Sequence, residues 1–271
     1  RVGFIHWDAT IDTTTVTDCR DHWPPAECEC CTVTVGDGVD SHGQFTDIQQ
    51  AIDSLGSRGG LVCIGRGFYP LTVGLILNNT KRNVTIRGVG PATRIFFAPA
   101  QGTQPVFMRV ENTEHVRLEN VWVTAVRSTA LVRISQSSFC GIEDCTLVNL
   151  PGPLNDQTPA SRGIEFLENC TYCEILHNLI LAAKAVASTS GNVRELIVRD
   201  NQILARQTSI FLRQGTGIEI LHNQMRGLPR EGLPVDITLT RNTVDAFQLQ
   251  VSNLFRASVS LFNFQAAGVM I

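Results

Sequence analysis

Short apolar and polar runs alternate along this chain and break every few residues, and one phrase keeps returning. It reads Cys173-Glu-Ile-Leu-His-Asn178, Leu196-Ile-Val-Arg-Asp-Asn201, Ile218-Glu-Ile-Leu-His-Asn223 and Ile237-Thr-Leu-Thr-Arg-Asn242. With the asparagine as position zero, residues 84–89, 116–121, 140–145 and 259–264 extend the series to eight copies. The position-zero residues are 32, 24, 33, 23, 22, 19 and 22 residues apart. Positions −5, −3 and +2 are apolar almost throughout, as in Val116, Leu118 and Val123, or Leu196, Val198 and Ile203. Period-two spacing on both sides of a break predicts strand, turn, strand. A unit of this size without helical patterning cannot bury its apolar face alone, so it must stack on its own copies. The prediction is an all-β solenoid. The leucine-rich-repeat consensus, of similar length, is absent.

Asparagine at position zero suits a turn, because it tolerates a left-handed backbone and its amide can bond the coils on either side. Asn178, Asn201, Asn223 and Asn242 are therefore expected to form a ladder. Upstream, Phe45, Ile48, Ile52 and Leu55 recur at helical spacing, and Thr46 with Gln49 fits a capping box, so a short amphipathic helix is expected there.

These features together resemble the right-handed parallel β-helix of the pectin lyase-like superfamily. The segment Gly36-Asp-Gly-Val-Asp-Ser-His-Gly-Gln-Phe-Thr-Asp-Ile-Gln-Gln-Ala-Ile-Asp53 is similar to that family's way into its first coil, and Gly60-Leu-Val-Cys-Ile-Gly-Arg-Gly-Phe-Tyr69 to its first buried strand and turn. The resemblance implies a short N-terminal capping helix that hides open strand edges. It divides the chain into a Cys-rich N-terminal extension, 1–32, and a β-helix domain, 33–271. The C-terminal coil has no comparable cap in the sequence, so self-association or a neighbouring domain is expected there.

The composition removes several function classes. No apolar run is long enough for a membrane-spanning helix. Two lysines and twenty arginines are scattered among 25 acids, for a net charge of −3, which argues against a nucleic-acid partner. The chain begins at Arg1 and ends in the strand-like Val269-Met270-Ile271, as a piece of a longer protein would. Nine cysteines cannot all pair, and they leave the compartment open. Cys19, His22, Cys28, Cys30 and Cys31 offer thiolate and imidazole ligands, but without the two separated pairs usual for zinc. Partial disulfides and plain thiols are the competing readings, and the residues name no cofactor.

Function has to be read from the outward positions, since one fold hosts many activities. Position −1 carries Asn120, Asp144, His177, Asp200, His222, Arg241 and Asn263, with acid and imidazole alternating on four successive coils. At about 4.8 Å from coil to coil, Asp144, His177, Asp200 and His222 could serve as acid and base. They could equally be solvated polar residues before a turn.

Two coils carry about ten extra residues each, 98–105 and 150–161, and between them lie Trp122, Thr124 and Arg127. Trp122 and Arg127 suit a sugar ring and its carboxylate, with Asp156 on the second loop and Arg133 beside Arg109 on an outer strand. Trp122 packed beneath those loops is the bland alternative. The family's lyase and polygalacturonase motifs are not intact here, and Ser41-His42-Gly43 is only superficially similar to the latter's Gly-His-Gly. Two functions follow as expectations. One is a carbohydrate-recognising β-helix acting as a polysaccharide lyase, hydrolase or epimerase. The other is a non-catalytic structural or adhesive module of a tailspike-like assembly.

Overall fold

The computed structural model describes residues 3–8, 13–18, 31–100, 105–150, 161–227, 235–240, 242–251, 257–262, 265–266 and 269–270, with side chains for those between 31 and 225. Residues 3–8 and 13–18 form an antiparallel hairpin. The rest is one continuous parallel β-solenoid of about six turns with a single short helix.

Each coil contributes to three faces. Face 1 stacks residues 84–87, 116–119, 141–143, 173–176, 196–199 and 218–221. Face 2 stacks 93–97, 122–126, 146–150, 179–182 and 202–205. Face 3 stacks 106–111, 130–135, 162–167, 184–188 and 208–212. The −5, −3 and +2 residues point inward. Val116, Leu118, Val123, Cys173, Ile175, Ile180, Leu196, Val198 and Ile203 are at most 1% exposed and belong to one core. Three strands from each coil bury what no single coil could.

The asparagine ladder is present on three coils. The Oδ1 of Asn201 accepts from the backbone N–H and the Nδ2 of Asn178 (2.9 and 3.0 Å), and the Oδ1 of Asn223 does the same for Asn201 (3.0 and 2.9 Å). Asn178 in turn accepts from the N–H of Cys145 at 2.9 Å. These asparagines lie inside the cylinder, at most 2% exposed. The left-handed backbone falls one residue earlier, at Asn120, Asp144, His177, Asp200 and His222, with φ between 52 and 57°. A side chain turned inward to bridge coils needs its own backbone extended, so the preceding residue makes the bend.

The repeat also ends earlier than its phrase suggests. Beyond Asn223 the next face-1 segment is 244–247, and Leu249 is the residue in register with Asn223. Residues 237–239 instead pair with 210–212 on face 3, and Asn242 pairs with Gly215. Val259 pairs with Ile237, on face 3 as well. Period-two apolar spacing is common to all three faces, so the phrase alone does not say which face a copy joins.

The helix is Ile48–Ser54, and its N-cap is Asp47, whose Oδ1 accepts from the N–H of Gln50 at 2.8 Å, rather than the expected Thr46. Ile48, Ala51 and Ile52 enter the core. Gln49 takes another part: its Oε1 accepts from the N–H of Ile76 (2.8 Å) and its Nε2 donates to the carbonyl of Ile76 (3.2 Å). It thus supplies one strand-like pairing to the edge strand Leu75–Leu77. Cys140, Cys145, Cys170 and Cys173 are buried thiols, and burial pushes Cys145 up to about 12 and Cys170 up to about 11.

A cleft on face 1

Two columns of turn residues border face 1. One is position −1. The other is position −6, again left-handed, where Asn83, His115, Phe139, Tyr172, Glu195 and Gly217 follow one another up the coils. Three of these side chains are aromatic and stack. His115 and Phe139 have ring centroids 4.7 Å apart and an interplanar angle of 8°; Phe139 and Tyr172 are 4.9 Å apart at 4°. Near-parallel rings at the strand spacing are what in-register coils impose. Phe139 and Tyr172 remain 44% and 53% exposed, an unusual surface for large apolar groups.

Beside this ladder lies an open cleft of about 560 Å³, lined on its walls by His115, Phe139, Tyr172 and Glu195 and on its floor by Arg117, Glu174, Ile197 and Glu219. Arg117 is held by three carboxylates: its Nε meets Glu119 at 3.0 Å, Nη2 meets Glu143 at 2.9 Å, and Nη1 meets Glu174 at 3.5 Å. Arg87 meets the other oxygen of Glu119 at 2.8 Å. Burial disfavours the Arg117 charge, but these acids outweigh it and raise its pKa. The guanidinium crosses Gly141, where a Cβ would sit 3.1 Å from Cζ. A glycine at that outward position keeps the route between coils open.

On the opposite border of face 1, outside the lining of the cleft, stands the expected acid–imidazole row, with one substitution. His177 Nε2 and His222 Nδ1 lie 3.6 and 3.5 Å from the two oxygens of Asp200. The other nitrogen of His177 faces Glu143, at 3.7 Å, while Asp144 makes no ion pair among the described residues. Asp200 also receives Arg199 at 3.4 Å. These four contacts, at 3.4–3.7 Å, are long ion pairs rather than tight hydrogen bonds.

The expected sugar-binding residues lie elsewhere and are not gathered with this row. Trp122 is on face 2, 36% exposed, with its Nε1–H donated to Thr124 (3.1 Å) and the Arg94 guanidinium 5.9 Å over its ring. Arg127 is exposed at the bend between faces 2 and 3. Arg133 is in register with Arg109 on face 3, but its Nε meets the buried carboxylate of Glu165 at 2.8 Å, and Arg162 meets the other oxygen at 2.7 Å. That arginine is committed within the protein. Asp156 lies outside the described residues.

Cys19, His22, Cys28 and Cys30 also lie outside them. Cys31 is corrected as a metal candidate: it forms a disulfide with Cys63, and a sulfur so bonded is not a thiolate ligand. Among the described residues no group of three or more His, Cys, Asp or Glu is placed to hold a metal ion.

Glu143, Arg117 and the aromatic ladder were missed from the sequence. Each carried a signal, since −2, −4 and −6 are fixed offsets in the same repeat. Position −6 was overlooked because it lies just outside the recurring phrase.

No protein-family model and no curated protein sequence matches the chain. Solved structures do resemble it. Pectin methylesterase from carrot superposes with a TM-score of 0.55 at 10% identity, covering 88% of this chain and 83% of that one. Pectin methylesterase from Aspergillus niger gives 0.52 at 10% identity, covering 90% of each. At such low identity the likeness establishes the fold alone, a right-handed parallel β-helix like theirs.

Proposed function

We propose that this protein is a carbohydrate-recognising β-helix that seats its glycan in the face-1 cleft. The observation that carries the reading is an exposed aromatic ladder beside the carboxylates of Glu174, Glu195 and Glu219 in an open cleft of about 560 Å³. Sugars present C–H faces to aromatic and aliphatic groups and hydroxyls to ionised ones, and both kinds of group line this cleft. The pectin methylesterases it resembles in fold are carbohydrate-directed by name, which agrees with the reading but does not carry it.

Asp200, His177 and Glu143 add groups able to hold or move a proton beside such a ligand. The reading therefore covers cleavage or epimerisation of a polysaccharide, with His177 and Asp200 as the acid–base pair.

The test is calorimetric titration of the whole chain with neutral, acidic and amino oligosaccharides, together with assays for new reducing ends and unsaturated uronates. Binding is expected, and Tyr172→Ala should weaken it by about tenfold while leaving the circular dichroism unchanged. Titrations that are flat for every oligosaccharide would refute the reading. If His177→Ala and Asp200→Asn keep whatever turnover the parent shows, the acid–base role is refuted and binding alone remains.

A further inference from the structure

The cleft selects ligands by charge, and the selection runs against polyuronates. Its floor and walls carry one guanidinium, that of Arg117, and three carboxylates, those of Glu174, Glu195 and Glu219. Arg117 is the one guanidinium or ammonium among the described lining residues, and it is already shared among Glu119, Glu143 and Glu174. Glu195 and Glu219 make no ion pair among the described residues.

Their placement follows from the backbone. Gly217, with φ +66°, ends the −6 column without a side chain, and the Glu195 carboxylate lies over it, where a Cβ would be 2.7 Å from Glu195 Cδ. Tyr172 is the last ring of its stack, so no further ring covers its outer face. Ile197 adds an apolar strip of floor between Glu174 and Glu219.

An aromatic face, an aliphatic floor and unshared carboxylates together form a receptor for an apolar-faced cation. Resting on the glycan reading above, we infer that the upper half of the cleft binds amino sugars. In this site the ammonium group sits between Glu195 and Glu219, and the ring lies against Tyr172 and Ile197.

The test compares two ligands of the same backbone, one carrying ammonium groups and one carrying neutral acetamides, a β-1,4-linked glucosamine hexamer and its fully N-acetylated counterpart. Binding to the whole chain is measured at a pH where the amines are protonated and the glutamates ionised. The glucosamine hexamer should bind at least about tenfold more tightly, and Glu195→Gln with Glu219→Gln should erase that preference, so that the two hexamers bind the variant within about twofold of each other. Added salt should narrow the difference.

Equal affinity for the two hexamers, or tighter binding of an oligogalacturonate, overturns the charge inference and leaves the glycan reading standing. A lysine-rich peptide that outcompetes the glucosamine hexamer overturns it in favour of a protein partner. Failure of every oligosaccharide overturns both readings.

Discussion

At the scale of single residues, the buried amides carry the most consequence. Asn201 accepts two hydrogen bonds from Asn178 and donates to the carbonyls of Ile175 and Arg199 and to Asn223, all within a side chain 1% exposed. Replacing it with alanine leaves donors and acceptors of three coils unpaired with no water at hand. Each stranded group costs about 1–3 kcal/mol, so Asn201→Ala should lose about 3 kcal/mol or more, read as a lower denaturant midpoint. Asn201→Asp, which turns a carboxylate oxygen onto the three acceptors that the amide nitrogen now serves, should cost at least as much at neutral pH.

The same residues show what the sequence could and could not reveal. Asparagine at position zero announced a ladder, because few side chains both donate and accept across a strand spacing. It did not reveal that the bend itself belongs to His177, Asp200 and His222. Asp and His, like Asn, are enriched in the left-handed region, but they are also at home at many solvent-facing positions, so identity alone does not separate the bend from an exposed stripe.

At the scale of elements, the segment leading into the helix is held by a single carboxylate. The Oδ1 of Asp37 accepts from the N–H groups of Val39, Asp40 and Ser41 at 2.7–3.0 Å, and its Oδ2 accepts from Phe68 at 3.1 Å. Burial opposes the charge, but the four backbone donors outweigh it and hold the pKa below the ordinary 3.8. A depressed pKa stabilises the fold fully above the unfolded value and loses that contribution as pH falls through the folded one. Stability should therefore decline below about pH 4 more steeply in the parent than in Asp37→Ala. Curves of denaturant midpoint against pH for the two proteins should converge at the acid end, and parallel curves would contradict the assignment.

Periodicity reported the strands of this fold well, since inward positions must be apolar whichever face they join. It reported turns less well, and it misplaced residues 237–242 because face 1 and face 3 share one code. The cleft was half legible for a related reason: its floor at −4 lies inside the repeated phrase, and its wall at −6 one residue outside it.

At the scale of the whole molecule, the solenoid gains stability from neighbour-to-neighbour stacking, so its ends matter more than its middle. The first coil is secured by the helix, by Gln49 on the edge strand Leu75–Leu77, and by the Cys31–Cys63 disulfide, which closes a loop of 32 residues around that helix. Closing a loop of that length removes chain entropy worth about 3.7 kcal/mol from the unfolded state. A Cys31→Ser/Cys63→Ser variant should consequently unfold first at this end. In native-state hydrogen exchange, amides of residues 33–35 and 48–55 should lose protection by roughly two orders of magnitude while those of 173–176 and 196–199 keep theirs. The coils bearing His177 and Asp200 lie several strands away, and their stacking does not pass through the disulfide. Glycan affinity in the face-1 cleft should therefore survive the double substitution, and a cleft that loses affinity together with the first coil would show that the solenoid unfolds as one cooperative unit.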